Sequence, residues 1–241
     1  MKEPVFEKYD NMSLDEVYID FYNQYNADPL LVNHRSFIEA HGLGYGNRPF
    51  HAMWRELVKL MPDNFNFLEI GVYKGQVLSL IKLLSDNQEK DVRYIGVTPL
   101  DKSGDKFSEY DSADYVHAIS NLFRHFNLDF SIEKNIIRGL STDESVKDKV
   151  IDNGPFDLIY IDGSHDYDCV VSDINLMYEI SKKGSIIVFD DSSCFADMNI
   201  DLVKFKGHID VCNAVRDHIE NNEQYVELLC VGHNRVFKRI A

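Results

Sequence analysis

The sequence predicts an α/β protein built on a doubly wound, mainly parallel sheet, and three observations carry that prediction. From about residue 65, apolar runs of strand length alternate with amphipathic runs of helix length. Two of the apolar runs, Leu158-Ile159-Tyr160-Ile161 and Ile186-Ile187-Val188-Phe189, end in aspartate: Asp162 after the first, the pair Asp190-Asp191 after the second. A single amphipathic crossover joins these two runs, so the strands are parallel and their carboxylates emerge at the same edge of the sheet.

The elements follow in order. Candidate strands cover residues 66–70, 93–97, 130–134, 157–161 and 185–189, and candidate helices cover 76–84, 110–126, 142–151, 167–181 and 209–221. Repeated strand-then-helix units give a sheet with helices on both faces. Residues 225–230 and 235–240 flank Val231-Gly232-His233-Asn234 and read as a hairpin, which adds an antiparallel pair and brings the sheet to seven strands. Residues 1–62 hold no convincing strand. Ser13 followed by Glu16 is a capping-box start, Asp28-Pro29 ends that helix, and two more helical stretches cover 30–40 and 49–61, separated by the Gly42/Gly44/Gly46 loop. The division expected is a helical N-terminal extension or cap over 1–62 and a sheet domain over 63–241. The extension could cap a site, form a dimer contact or cover the sheet, the last being favoured; a homo-oligomer is compatible with this.

Composition narrows the function. The 241 residues, 44% hydrophobic, suffice for one sizeable core. A formal charge of −15 argues against nucleic acid or an anionic membrane as the main partner. No apolar stretch reaches the roughly 18 residues needed to span a bilayer, and no apolar signal run opens the chain, so a cytoplasmic protein is expected. The four cysteines, Cys169, Cys194, Cys212 and Cys230, are scattered without a CxxC and read as reduced thiols.

Two segments carry chemistry. Asp162, Asp190 and Asp191 converge where open α/β sheets place their ligands, and three crowded carboxylates call for a hard divalent cation. The second is Glu69-Ile70-Gly71-Val72-Tyr73-Lys74-Gly75, where a strand turns sharply into a helix. Gly71 permits the turn and Gly75 a close backbone approach, while the GxxxG spacing matches neither the dinucleotide fingerprint nor the phosphate loop. Glu69 would repel a pyrophosphate and could hold an ammonium group or hydroxyl.

Together with Asp162-Gly163-Ser164-His165-Asp166-Tyr167 and Gly184 through Asp191, this turn resembles the class I S-adenosylmethionine-dependent methyltransferases, with a Rossmann-like fold, over about residues 60–240. More narrowly it is similar to the branch of macrocin-type sugar O-methyltransferases and cephalosporin-hydroxylase-like proteins. The resemblance implies that Glu69, Gly71 and Gly75 cradle the methionine part of S-adenosylmethionine. Thr98 takes the usual place of the ribose-binding acid, Asp101 stands slightly later, and Ser141 faces the adenine or caps the following helix. Asp162 borders the cofactor as well. It also implies a Mg²⁺ held by Asp162, Asp190 and Asp191, since the family spacing of 28 and 29 positions is met here. All-oxygen ligation favours Mg²⁺ over Zn²⁺. Consecutive strand residues point to opposite faces, so Asp190 and Asp191 can share an ion only if the strand has ended before them.

His165, three residues after Asp162, is the candidate general base, with a loop-anchoring role as the alternative, and His208 is a second candidate. The reading is methyl transfer to a hydroxyl of a small polar acceptor, a sugar or natural product, assisted by Mg²⁺. The alternatives are a metal-independent methyltransferase, a hydroxylase-like relative, for which no 2-His-1-carboxylate motif is evident, and a non-catalytic cofactor-binding relative.

Overall fold

A computed structural model describes residues 4–105 and 114–241. The N-terminal region forms α1 (Pro4–Glu7), α2 (Leu14–Asn26), α3 (Pro29–His41) and α4 (Pro49–Leu60). Ser13 and Glu16 close the expected capping box on α2, and Asp28 caps α3 through the Leu30 amide. The alternating region follows as β1 (Asn64–Ile70), α5 (Gln76–Asn87), β2 (Asp91–Thr98), α6 (Tyr115–His125), α7 (Ile132–Asn135), β3 (Ile136–Arg138), α8 (Glu144–Asn153), β4 (Phe156–Ile161), α9 (Tyr167–Ile180) and β5 (Ser181–Phe189). The chain closes with α10 (Ile200–Val203), α11 (Ile209–Val215) running into a π-helical turn over Arg216–Glu220, then β6 (Tyr225–Val231) and β7 (Asn234–Arg239).

The seven strands lie in the order β3-β2-β1-β4-β5-β7-β6, with β7 antiparallel to both β5 and β6 and the rest parallel. The expected sheet with its terminal hairpin is therefore present. Alternation along the strands sorts the core into two layers. Phe65, Phe67, Leu158, Tyr160, Ile186 and Val188 face α2, α4, α5 and α6. Leu68, Ile70, Ile159, Ile161, Ile187 and Phe189 face α8, α9 and α11. Trp54 on α4 is fully buried and meets the Tyr160 ring edge-on at 5.0 Å, so the N-terminal helices cover the sheet and share its core.

Two element assignments change. The strand expected over 130–134 is instead irregular chain followed by the short helix α7, and β3 is only Ile136–Arg138. Asn135 explains the shift: its side chain accepts from the Ser131 amide and donates to the Tyr94 carbonyl, closing a helical turn before the strand begins. The helix expected over 110–126 is described from Tyr115, and residues 110–113 lie outside the described region. The cysteines are also corrected. Cys194 and Cys212 are paired as a disulfide, Cα to Cα 5.9 Å, because α11 returns beneath the loop that follows β5. Only Cys169 and Cys230 are free.

Candidate active site

The order of strands reverses between β1 and β4, and the site lies at the carboxyl ends of these two strands. Gly71 leaves β1 with φ +93°, and a Cβ there would stand 1.7 Å from the Asp162 carbonyl oxygen. Only glycine lets the two loops touch. Gly75, with φ +89°, is the N-cap of α5 and has no side chain to offer its amides. Glu69 takes over that task, accepting from the Leu78 amide. Among the described residues its other oxygen, Oε2, is buried without a partner, and burial pushes the carboxyl well above its ordinary pKa.

Two cavities meet at this junction. The smaller, about 290 Å³, is lined by Gly71, Thr98, Asp101, Ser141 and Asp162 among others. The larger, about 630 Å³, is lined by Glu69, Asp162, His165, Asp190, Asp191 and the aromatic residues Tyr45, Phe50, Trp54 and Tyr73. Both include Gly71, Val72, Tyr73, Asp162 and Gly163 in their walls. Most of the residues the resemblance implied for the methyl donor thus gather around one cavity. Glu69 is on the other side of the junction, since alternation along β1 turns it toward α4, and Gly75 lines neither cavity. Ser141 is not a helix cap; Asp143 holds that position, while Ser141 hydrogen-bonds the buried Asp173, whose carboxyl burial raises to about 7.

The geometric difficulty over the aspartate pair is resolved by where β5 stops. The strand ends at Phe189, Asp190 donates its amide to the Ile161 carbonyl, and Asp191 turns with φ +52°. Both carboxylates then reach one imidazole: His233 Nδ1 stands 2.8 Å from Asp190 Oδ1 and 2.9 Å from Asp191 Oδ1. Burial opposes the charge on His233, but the two carboxylates prevail and raise its pKa to about 10. Asp162 is half-buried beside Asp190 and Asp191. Burial first, then their charges, push it well above the carboxylate range, while Tyr160 donates its hydroxyl to Asp162 Oδ2 at 3.1 Å. Burial also acts to raise Asp191, yet hydrogen bonds from His165 and His233 hold it well below its usual value.

His165 is fixed from two sides. Asp105 Oδ2 accepts from its backbone amide at 2.5 Å and lies 2.7 Å from Nδ1, so Nε2 is the nitrogen turned to the cavity, 3.1 Å from Asp191 Oδ2. His208 Nε2 stands 3.6 Å from the same oxygen. Among the described residues, the donor sets within reach of a single ion are Asp190/Asp191/His233 and His165/Asp191/His208. The second is a two-histidine, one-carboxylate grouping that the sequence did not reveal, because its members come from three separate loops.

Asp105 and His233 were not anticipated as site residues. His233 had a signal: the antiparallel register pairs Phe189 with Arg235, and two further steps put His233 opposite Asp191. Asp105 had none, being a loop residue with no motif around it.

A family model described as a methyltransferase domain matches residues 68–192, and the chain belongs to that family. Its fold is that of the class I S-adenosylmethionine-dependent methyltransferases. Among sequence relatives, an uncharacterized protein of Acanthamoeba polyphaga mimivirus is 32% identical over 154 residues, which is 60% of this chain and 61% of that one. Solved structures share the fold at low identity. A Staphylococcus aureus protein assigned provisionally to the caffeoyl-CoA O-methyltransferases superposes with TM-score 0.60 at 15% identity, covering 94% of this chain and 99% of its own. A Bacillus cereus O-methyltransferase in complex with SAH gives 0.56 at 15%, covering 89% and 91%. A TDP-rhamnose 3'-O-methyltransferase of calicheamicin biosynthesis gives 0.55 at 14%, covering 92% and 93%.

Proposed function

We propose that the protein transfers a methyl group from S-adenosylmethionine to a hydroxyl of a small polar acceptor, a sugar or natural product, with a divalent cation, Mg²⁺, assisting. The observation that carries this reading is the pair of cavities joined at Gly71 and Asp162 on the switch point of the sheet. Donor and acceptor in adjoining cavities need only alignment to react, and alignment is a large part of what such an enzyme supplies. The carboxylates suit a cation: after burial, the charges of Asp190 and Asp191 raise the Asp162 pKa, and an ion among them would remove that repulsion. Asp191, common to both donor sets described above, would hold it with Asp190 and His233 or with His165 and His208, while Asp162 stands beside them and belongs to neither set. When bound, the donor brings an electrophilic methyl on a sulfonium and the cation lowers the acceptor hydroxyl's pKa.

The remaining work falls to the chain's own side chains. Asp105 orients His165 by accepting from Nδ1, and Nε2, which faces Asp191 Oδ2, is the nitrogen that would take the acceptor's proton once its contact with Asp191 is released. Tyr160 orients Asp162 at the junction. Trp54, Phe50 and Tyr73 wall the larger cavity and exclude water from the transfer. The test is mass-spectrometric: protein supplied with methyl-¹³C S-adenosylmethionine and a panel of sugar and phenol diols should yield a product heavier by one labelled methyl group. Donor binding without product from any diol would contradict the O-methyl assignment while leaving the family intact.

A further inference from the structure

The larger cavity carries information about the acceptor's charge, and the inference drawn from it rests on the methyl-transfer reading above. Among the described residues its wall includes four carboxyl groups, Glu69, Asp162, Asp190 and Asp191, and four imidazoles, but no lysine or arginine. Two described cations near its mouth, Arg35 and Lys74, are committed elsewhere. Arg35 is almost fully buried, and its guanidinium donates to the Tyr45 and Gly46 carbonyls and to Glu39 and Gln76. Lys74 donates to the Gly42 carbonyl and lies over the Tyr73 ring. Both hold the loop between α3 and α4 rather than the cavity.

We infer that the acceptor is an uncharged, ring-bearing diol with no phosphate or other anionic group near its reacting hydroxyl. A phosphate, pyrophosphate or carboxylate bound here would lie among carboxylates with no guanidinium or ammonium of the described wall to meet it. An anion stripped of water and left unpaired is rejected strongly. The lips of the cavity fit a ring instead. Tyr45, 71% exposed, stands on one side beside Tyr73, and Phe205, 41% exposed, stands on the other beside His208. Exposed aromatic faces stack on the apolar face of a sugar or on a phenol without charge pairing. The buried Glu69 Oε2, unpartnered among the described residues, offers a polar contact in the cavity's interior.

The test uses nuclear magnetic resonance of the full protein with Mg²⁺ and S-adenosylhomocysteine, following the imidazole resonances of His51 and His208, both on the cavity wall. The probes are methyl rhamnoside, catechol, thymidine diphosphate-rhamnose and inorganic pyrophosphate. At least one neutral diol should shift both imidazoles, and the nucleotide-linked sugar and pyrophosphate should bind at least about tenfold more weakly. Tighter or equal binding of an anionic probe would overturn the inference, as would failure of both neutral diols to shift either resonance. The Ser141 amide, on the smaller cavity alone, reports the donor separately: no response there to S-adenosylhomocysteine would sink the methyl-transfer reading itself rather than the inference about charge.

Discussion

Asp105 governs the proposed proton transfer without touching substrate. Its carboxylate accepts from both the amide and Nδ1 of His165, and its side chain is only 4% exposed. Asp105→Asn should lower turnover about 10- to 100-fold, the usual cost of losing a carboxylate that orients a functional imidazole. Nitrogen NMR should then show a mixed His165 tautomer, and Asp105→Glu should restore part of the rate. Unchanged turnover and tautomer would remove Asp105 from the mechanism. A second pair of residues makes a stability prediction. His34 Nδ1 lies 3.0 Å from His51 Nε2, His34 Nε2 lies 3.1 Å from Ser79 Oγ, and both rings are buried. Burial lowers His34 to about 3 and His51 well below its ordinary value. Because the unfolded chain takes up these protons first, the contribution of the pair is full above about pH 6.5 and is lost as pH falls below it. In urea titrations between pH 7 and 5, His51→Asn should flatten the pH dependence relative to wild type by up to one proton, about 1.4 kcal/mol per pH unit. Identical slopes would contradict the neutral buried pair.

At the level of elements, the glycine after β1 is the tightest constraint on the site. Gly71→Ala places a Cβ on the Asp162 carbonyl in a left-handed backbone, so either the β1–β4 junction opens or the protein fails to fold. Circular dichroism and donor calorimetry together should show lost structure or lost binding, and retention of both would be inconsistent with the junction described here. The elements themselves were legible to differing degrees. Strands β1, β2, β4 and β5 could be read because each is a run of apolar residues covered on both faces, and the hairpin because a Gly-His turn separates two apolar runs. Strand β3 could not, since its three residues follow a side-chain-closed helical turn that reads as one longer run with it. The aspartates were legible because strand ends announce the carboxyl edge of a parallel sheet. Asp105 and the His165/Asp191/His208 grouping were not, since loops meet there through tertiary packing that leaves no periodic signal. The disulfide was missed for a similar reason. Cys194 and Cys212 are 18 residues apart with no motif, and they meet only because α11 folds back under the Asp191 turn.

For the molecule as a whole, the layers explain why one site has two compartments. The sheet's switch point opens a crevice, and α4 with the α3–α4 loop roofs one side of it. Trp54 joins that roof to Tyr160 in the sheet, so Trp54→Ala should cost about 3–5 kcal/mol of stability in chemical denaturation and weaken acceptor binding more than donor binding. Equal loss of both would place the roof over the donor instead. No described helix is long and apolar enough to cross a membrane. The central claim, that the 290 Å³ cavity between Gly71 and Ser141 receives the methyl donor, is tested most directly by calorimetry with S-adenosylmethionine, with Mg²⁺ and again with EDTA. The account predicts one donor bound per chain under both conditions, lost in Gly71→Ala, with turnover but not donor binding abolished by EDTA. No heat of binding from the folded wild-type protein in either buffer would contradict it.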